Sequence, residues 1–322
     1  MLLHKGSIAF IPRPRLAFGQ KMNFSLFASH TRRSAHRVIR VLIVFAGSCG
    51  FSPGVLGEEE KPRRPIDGIM DNSFLIEEAY NQEAGIVQHI FNGIYSVDRI
   101  SDTHQRRIDL SFTQEWPAWG QAHQLSYTVP YAFVREAGHW SDGIGDVLLN
   151  YRYQAFLNEQ TLTAFSPRFS LVLPTGNERR GYGAGTLGYQ WNLPFSTTFG
   201  DRWFVHANTG LTFLPEAGQE PTHDFLNYNL GASVIYCATD RFNLMLEWIG
   251  NWNNSATSSG GVDRQFFSVI SPGCRTAFNF DNGSQMVLGL AIPIAVTRSA
   301  PEIGAFLYFS FEHRMFGKAE DK

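Results

Sequence analysis

Leu226-Asn-Tyr-Asn-Leu-Gly-Ala-Ser-Val-Ile-Tyr236 alternates an apolar or aromatic residue with a polar or small one at almost every step. Side chains of a β-strand point to opposite faces in turn, so this period of two separates Tyr228 and Leu230 from Asn227 and Asn229. The stretch therefore predicts a strand with one apolar and one polar face.

The same alternation recurs along the chain from about residue 84 to residue 316. It predicts twelve strands, near residues 85–96, 106–116, 123–134, 146–156, 162–173, 185–194, 202–213, 225–237, 241–251, 265–278, 285–296 and 303–316. Long polar connections are expected to alternate with short ones, and the long ones are 97–105, 135–145, 174–184, 214–224, 252–264 and 297–302. An even strand number with alternating connection lengths is typical of bacterial outer-membrane barrels.

Composition supports a chain that contacts lipid. The sequence is 43% hydrophobic, 14% aromatic and only 17% charged, and it contains no apolar run of 18 residues that could form a transmembrane helix. We therefore expect an all-β fold, a transmembrane antiparallel up-and-down β-barrel of about 12 strands over residues 84–316, after a cleaved signal peptide. The expected partners are outer-membrane lipid, the barrel-assembly machinery and small aromatic or hydrophobic solutes, with no nucleic acid. A soluble antiparallel sandwich is the alternative, because its strands alternate too.

The N-terminal residues 1–57 carry eight Lys or Arg and no Asp or Glu. A basic stretch, a short apolar run and small residues follow one another there, which predicts a signal peptide cleaved near Gly57. Cys49 lies in a loose lipoprotein-like box within this region, and Met22 is an alternative start. Residues 317–322 are expected to form a C-terminal tail. Cys237 and Cys274 fall on strands that are not neighbours, which predicts two free thiols.

Charged residues on the polar strand faces are the candidate lining of the barrel lumen. They are Asp109, Glu115, Arg152, Arg168, His206, Glu247, Arg275, Glu312 and Arg314. Both signs of charge occur, so a lumen filled by paired charges and a selective pore are both compatible with the pattern.

Residues 58–83 precede the first strand and form either a plug or an unstructured leader. The stretch Phe74-Leu-Ile-Glu-Glu-Ala-Tyr80 has helical character but is too short and too acidic to span lipid. As a plug, it would pack Phe74, Ile76 and Tyr80 in the barrel mouth. Its acidic residues Glu77 and Glu78 would then meet inward arginines such as Arg168 or Arg314.

The sequence contains no motif for a metal site, a phosphate-binding loop or a nucleophile elbow, so we predict no catalytic residue, metal or cofactor. Residues 176–185 are glycine-rich, but no helical pattern follows them, which favours a loop at the cell surface. His206 with a nearby serine keeps a lipid-modifying enzyme open as the weakest alternative. Pro130, Pro167, Pro272 and Pro293 fall within predicted strands and should cause bulges or early strand ends.

Several short motifs are similar to those of one known family. These are Gly143-Ile-Gly-Asp146, the run from Ser166 to Gly176 that ends in Leu-Pro-Thr-Gly, Gly183-Ala-Gly-Thr-Leu-Gly-Tyr189, Ser271-Pro-Gly-Cys-Arg-Thr-Ala-Phe278 and Gly289-Leu-Ala-Ile-Pro293. Together they resemble the outer-membrane family named for the MetA pathway of phenol degradation. The resemblance implies a barrel that acts as a channel or transporter for small, aromatic or hydrophobic compounds. A structural barrel with a plugged lumen remains the main alternative.

Overall fold

The computed structural model describes residues 2–4, 7–9, 69, 73–98, 105–136, 138–257 and 261–315. The chain divides into two compact units, one made of residues 1–15 and 63–322 and the other of residues 16–62. The second unit lies outside the described residues. So do the predicted signal peptide with Cys49, the tail 317–322 and most of residues 58–72, and these remain predictions.

Almost all of the described chain is β-strand. A short hairpin near the N-terminus is formed by β1 (Leu2–His4) and β2 (Ser7–Ala9). The remaining strands are β3 (Ile86–Val97), β4 (Arg106–Pro117), β5 (His123–Glu136), β6 (His139–Ile144), β7 (Val147–Tyr153), β8 (Phe156–Asn158), β9 (Thr163–Phe165), β10 (Arg168–Leu173), β11 (Gly188–Phe199), β12 (Trp203–Ala217), β13 (His223–Thr239), β14 (Phe242–Ala256), β15 (Val262–Asn279), β16 (Gln285–Ala291), β17 (Ile294–Ala295) and β18 (Ile303–Arg314). A single turn of 3₁₀ helix, Glu178–Arg180, lies between β10 and β11.

The sheet closes on itself as an antiparallel barrel. Its ring runs β3, β4, β5, β7, β10, β11, β12, β13, β14, β15, β16 and β18, and β18 pairs back onto β3 from Ile303 opposite Val97 to Arg314 opposite Ile86. Every strand of this ring pairs with a neighbour on both sides, which satisfies the backbone in a solvent that offers no hydrogen bonds. The predicted fold class, with twelve strands in consecutive order, is confirmed.

Three predicted long connections are mostly strand, because β12 and β13 extend into residues 214–224 and β14 and β15 extend into residues 252–264. Residues 135–145 were expected to form a long loop, but β6 pairs with the end of β5, with Tyr131 opposite Ile144 and Arg135 opposite Trp140. The hairpin of β5 and β6 therefore extends the sheet beyond the ring. It does so at the end of the barrel opposite to the one where β3 begins. We call that end the far end, and the end where β3 begins and β18 ends the terminal end.

The four prolines that were expected to disturb strands, Pro130, Pro167, Pro272 and Pro293, act in two ways. Pro167 and Pro293 interrupt their own strands, between β9 and β10 and between β16 and β17. Pro130 and Pro272 stay inside β5 and β15, and the break falls on the neighbouring strand. There the amides of Gly145 and Ile292 each donate to a proline carbonyl at 2.9 Å. A proline has no N–H for the ladder, so one of the two paired strands must deviate.

The two faces of the barrel differ as the alternation predicts. Large apolar side chains face outward and are exposed, among them Leu110, Leu230, Leu246, Leu288 and Leu307. In a membrane this outer face contacts hydrocarbon. Cys237 and Cys274 are free thiols on β13 and β15, which β14 separates. Within the described residues, no helix is long and apolar enough to cross a membrane.

Candidate functional site: a chain segment inside the barrel

Residues 73–83, which we call the inner segment, lie inside the barrel. Ile76 and Ala79 are completely buried, and Phe74 and Leu75 are each 2% exposed. Contacts near Tyr80 to Gln82 reach residues by the turns at the terminal end, such as Gln121 and Leu162, whereas Ser73 reaches Ser233 at the middle of β13. The segment thus enters at the terminal end and runs to mid-barrel.

The inner segment forms no helix, in contrast to the helical character predicted from its sequence. Wall side chains accept hydrogen bonds from its amides instead. The Leu75 amide donates to Glu247 Oε1 at 2.9 Å, the Ala79 amide to Ser196 Oγ at 2.8 Å, and the Gln82 amide to Gln124 Oε1 at 2.8 Å. Buried amides must find acceptors, and here the barrel offers them where a free helix would use its own carbonyls.

The carbonyl groups of the inner segment are bound in the same way. The Arg152 guanidinium donates to the carbonyls of Glu78 at 3.1 Å and Tyr80 at 2.7 Å, and to Asn81 Oδ1 at 2.8 Å. The Ala79 carbonyl accepts from Gln154 and from the Ser166 hydroxyl. Arg152 therefore holds three residues of the segment, Glu78, Tyr80 and Asn81.

Glu77 makes the principal charged contact of the lumen. Its Oε2 accepts from Arg168 Nε at 2.8 Å and from Asn192 Nδ2 at 2.7 Å, and its Oε1 lies 3.4 Å from Arg152 Nη1. All of these side chains are buried. Charge-assisted hydrogen bonds of this kind are stronger than neutral ones, especially where water is excluded.

The apolar side of the inner segment faces the opposite wall. The Phe74 ring lies 5.2 Å from the Phe306 ring and 5.1 Å from the Tyr308 ring, measured between centroids. Gly273 and Gly289 leave room for it, because a Cβ atom at Gly289 would come within 2.2 Å of the Phe74 ring. We call Gly273, Gly289, Phe306 and Tyr308 the aromatic slot.

Tyr80 binds the inner segment to the barrel wall near the terminal end. Its hydroxyl donates to the Leu162 carbonyl at 2.5 Å, and its ring meets the His206 ring edge-on at 6.2 Å. Burial, and then the nearby Glu78 carboxylate, raise the pKa of Tyr80, so the phenol stays neutral and acts as a donor.

His206 pairs with a serine, but not where a lipid-modifying enzyme would need it. Its Nδ1 lies 2.8 Å from Ser196 Oγ, and this hydroxyl also accepts the Ala79 amide. The pair faces the lumen beneath the inner segment rather than the lipid face. Its contacts are those of a wall group that holds the segment.

The remaining predicted lumen residues fall into two groups. Asp109, Glu115, Glu247, Arg275 and Glu312 are buried on the inner face, and Glu247 accepts the Leu75 amide of the inner segment. Asp109 binds Arg107 on its own strand, and Glu115 accepts from Gln124. Arg314 is exposed at the end of β18 and does not join the Glu77 site.

Neutral residues that the sequence analysis did not single out complete the site. Asn192 and Ser196 lie on β11, two positions before and two positions after Pro194, on the same inward face as Gln190. The signal was present, since each occupies the polar face of its predicted strand. Charge alone predicts only part of the site, because neutral amides and hydroxyls serve equally well as partners for a buried backbone.

The far end is occupied by the connection between β10 and β11. Asp146 Oδ1 accepts the Gly176 amide at 2.9 Å, and its Oδ2 accepts the Ala184 amide at 2.6 Å. Ala184 packs inside the barrel against an apolar cluster that includes Leu214 and Phe225. Part of the glycine-rich loop, which was expected at the cell surface, therefore lies inside the far end of the barrel. A Cβ atom at Gly183 would lie 2.5 Å from Asp146 Oδ1.

Polar atoms without a direct partner mark the inner wall of β14 and β15. Both amide atoms of Asn243, the Glu247 Oε2 atom and the Ser271 hydroxyl are buried and make no hydrogen bond to any residue that the structure describes. Such groups are costly in a dry core and ordinary in a hydrated one. Among the described residues, no group of three or more His, Cys, Asp or Glu side chains could hold a metal ion.

No protein-family model and no curated protein matches the chain. Among solved structures it is similar to the COG4313 outer membrane channel from Pseudomonas putida F1, with a TM-score of 0.58 and 14% identity over 73% of this chain and 97% of that chain. The chain folds as a bacterial outer-membrane β-barrel. A weaker likeness is to the translocator domain of autotransporter NalP from Neisseria meningitidis, with a TM-score of 0.44 and 11% identity over 72% of this chain and 89% of that chain. Another is to the beta domain of the Bordetella autotransporter BrkA, with a TM-score of 0.42 and 9% identity over 73% of this chain and 100% of that chain.

Proposed function

We propose that this outer-membrane barrel is a channel for small solutes and that the inner segment is its gate. The observation that carries the proposal is the way in which the segment is held. It has no secondary structure of its own, and polar side chains of the wall bind its amides, carbonyls and the Glu77 carboxylate. Each of these groups could be bound by water instead, so the segment can leave without unfolding the barrel.

The aromatic slot supports a substrate with an apolar or aromatic body. Phe74 shows that a phenyl ring fits against Phe306 and Tyr308, in space that two wall glycines leave open. Aromatic rings at these spacings attract one another beyond their burial. We also propose membership of the family named for the MetA pathway. Its motif residues support this, because Gly143 and Asp146, near the junction of β6 and β7, contact the loop that carries Gly176 and Gly183 and enters the far end.

Deletion of residues 66–83 tests the gate. We expect the variant to insert as a folded, heat-modifiable barrel and to show a large rise in single-channel conductance in planar bilayers, because water then fills the lumen. Deletion of 58–65, the residues just before it, is the matched control and should leave conductance at the level of the full chain.

A structural barrel is the second candidate, favoured by the loop that enters the far end and is fixed by Asp146. If the barrel is structural, deletion of residues 66–83 should give a different result. Conductance of the folded variant would then stay at the level of the full chain, and the channel proposal would be wrong.

A further inference from the structure

We propose that Arg152, Arg168 and Asn192, which we call the carboxylate site, bind the carboxylate of a small organic acid that enters the lumen and takes the place of Glu77. The inference rests on the proposed function, since it names the chemical class of solute that would open the gate. In the closed barrel the inner segment occupies this site with its own carboxylate.

The donors of the carboxylate site are oriented by the wall, not by Glu77. Arg168 Nη1 donates to Asn150 Oδ1 at 2.9 Å and Nη2 donates to Gln190 Oε1 at 3.1 Å, which leaves Nε pointing at the Glu77 carboxylate. Arg152 is held by Gln124 Oε1 of the wall at 2.9 Å, and also by Asn81 and the Glu78 and Tyr80 carbonyls, contacts that do not involve the Glu77 side chain. A site whose donors keep their places after the ligand leaves loses little entropy when a new ligand binds.

The charge of the carboxylate site favours an anion over an empty site. Arg152 and Arg168 are 3% and 5% exposed, and the Glu77 carboxylate contacts both, so its removal takes a buried negative charge away from two guanidinium groups in a confined lumen. Uncompensated buried charge is strongly unfavourable. Withdrawal of Glu77 is therefore easier when another anion arrives, and a planar carboxylate matches the two-oxygen geometry that Glu77 shows there.

The body of the ligand follows from the opposite wall. The inner segment presents Glu77 to the arginine-bearing strands β7 and β10 and presents Phe74 and Ile76 to the apolar wall. A solute with a carboxylate on an apolar or aromatic body can compete for both sets of contacts. Benzoate is the simplest probe of this class, and acetate offers the carboxylate alone.

Chemical complementation of Glu77→Ala tests the site by thermal unfolding of the purified barrel in detergent. We expect benzoate to raise the unfolding temperature of Glu77→Ala saturably, acetate to raise it less, and chloride or sulfate at the same ionic strength to have no saturable effect. The double variant Glu77→Ala with Arg168→Met should lose the benzoate effect. Glu78→Ala, which removes the adjacent carboxylate and keeps the carbonyl that Arg152 binds, is the matched control and should show none.

The outcomes separate this inference from the proposed function, because unfolding does not require conduction. If benzoate has no effect on Glu77→Ala, or if sulfate and chloride act equally well, the carboxylate assignment is wrong whatever the barrel conducts. If benzoate acts as expected but deletion of 66–83 leaves conductance unchanged, the site stands and the channel does not.

Discussion

The absence of a side chain at Gly289 makes room for Phe74 of the inner segment. Gly289 faces the lumen from β16, and its position opposite the Phe74 ring leaves no room for a methyl group. We expect Gly289→Ala to force Phe74 out of the aromatic slot, with a loss of about 1–3 kcal/mol in the free energy of unfolding, the usual cost of overpacking. Single-channel recordings of the same variant should show more frequent opening.

Gly93 provides the control for this substitution. It lies on β3 on the outer face, and a Cβ there meets only the Leu110 side chain, at 3.4 Å. Gly93→Ala should therefore leave both the stability and the conductance close to those of the unaltered chain. Equal behaviour of the two alanine variants would show that Phe74 does not occupy the slot.

At the scale of elements, the inner segment and β13 meet where the hydroxyls of Ser73 and Ser233 lie 2.9 Å apart. In a chain whose Cys237 and Cys274 are replaced by serine, we expect Ser73→Cys with Ser233→Cys to form a disulfide under oxidising conditions, because the two positions are already in contact. The cross-link should be visible as a mobility shift without reductant and should keep conductance low until it is reduced.

The single variant Ser73→Cys in the same background is the control and should neither shift nor respond to reductant. A folded, heat-modifiable double variant that forms no cross-link would mean that the segment lies elsewhere. A cross-linked barrel that conducts as freely as the variant without residues 66–83 would mean that the segment is resident but is not the gate.

At the scale of the whole molecule, β18 closes the ring by pairing with β3 on one side and with β16 and β17 on the other. Deletion of residues 303–322 would leave two open edges, which lipid cannot satisfy. We expect this variant to lose heat-modifiable migration and to fail to insert, whereas deletion of 317–322 alone should preserve both. Normal insertion without β18 would contradict the closed-ring account.

The sequence by itself determined the barrel wall. Alternation such as that of residues 226–236 is a local property, because neighbouring side chains of any strand take opposite faces whatever their surroundings. Strand number and strand order follow from it, and the structure reproduces them. Arg152, Arg168 and Glu247 are buried on the inner face of this wall.

Only the tertiary structure decided where the inner segment goes and what conformation it takes. Its amides find acceptors on Glu247 and Ser196, which lie more than a hundred positions further along the chain and come near only after the ring has closed. Those contacts replace the hydrogen bonds of the helix that its local sequence favours, since a buried amide is satisfied equally well by a side-chain acceptor. Closure also brings Arg168, and not Arg314, to Glu77. The position of an arginine along its strand determines how deep in the lumen its side chain lies, and the two arginines differ in that position.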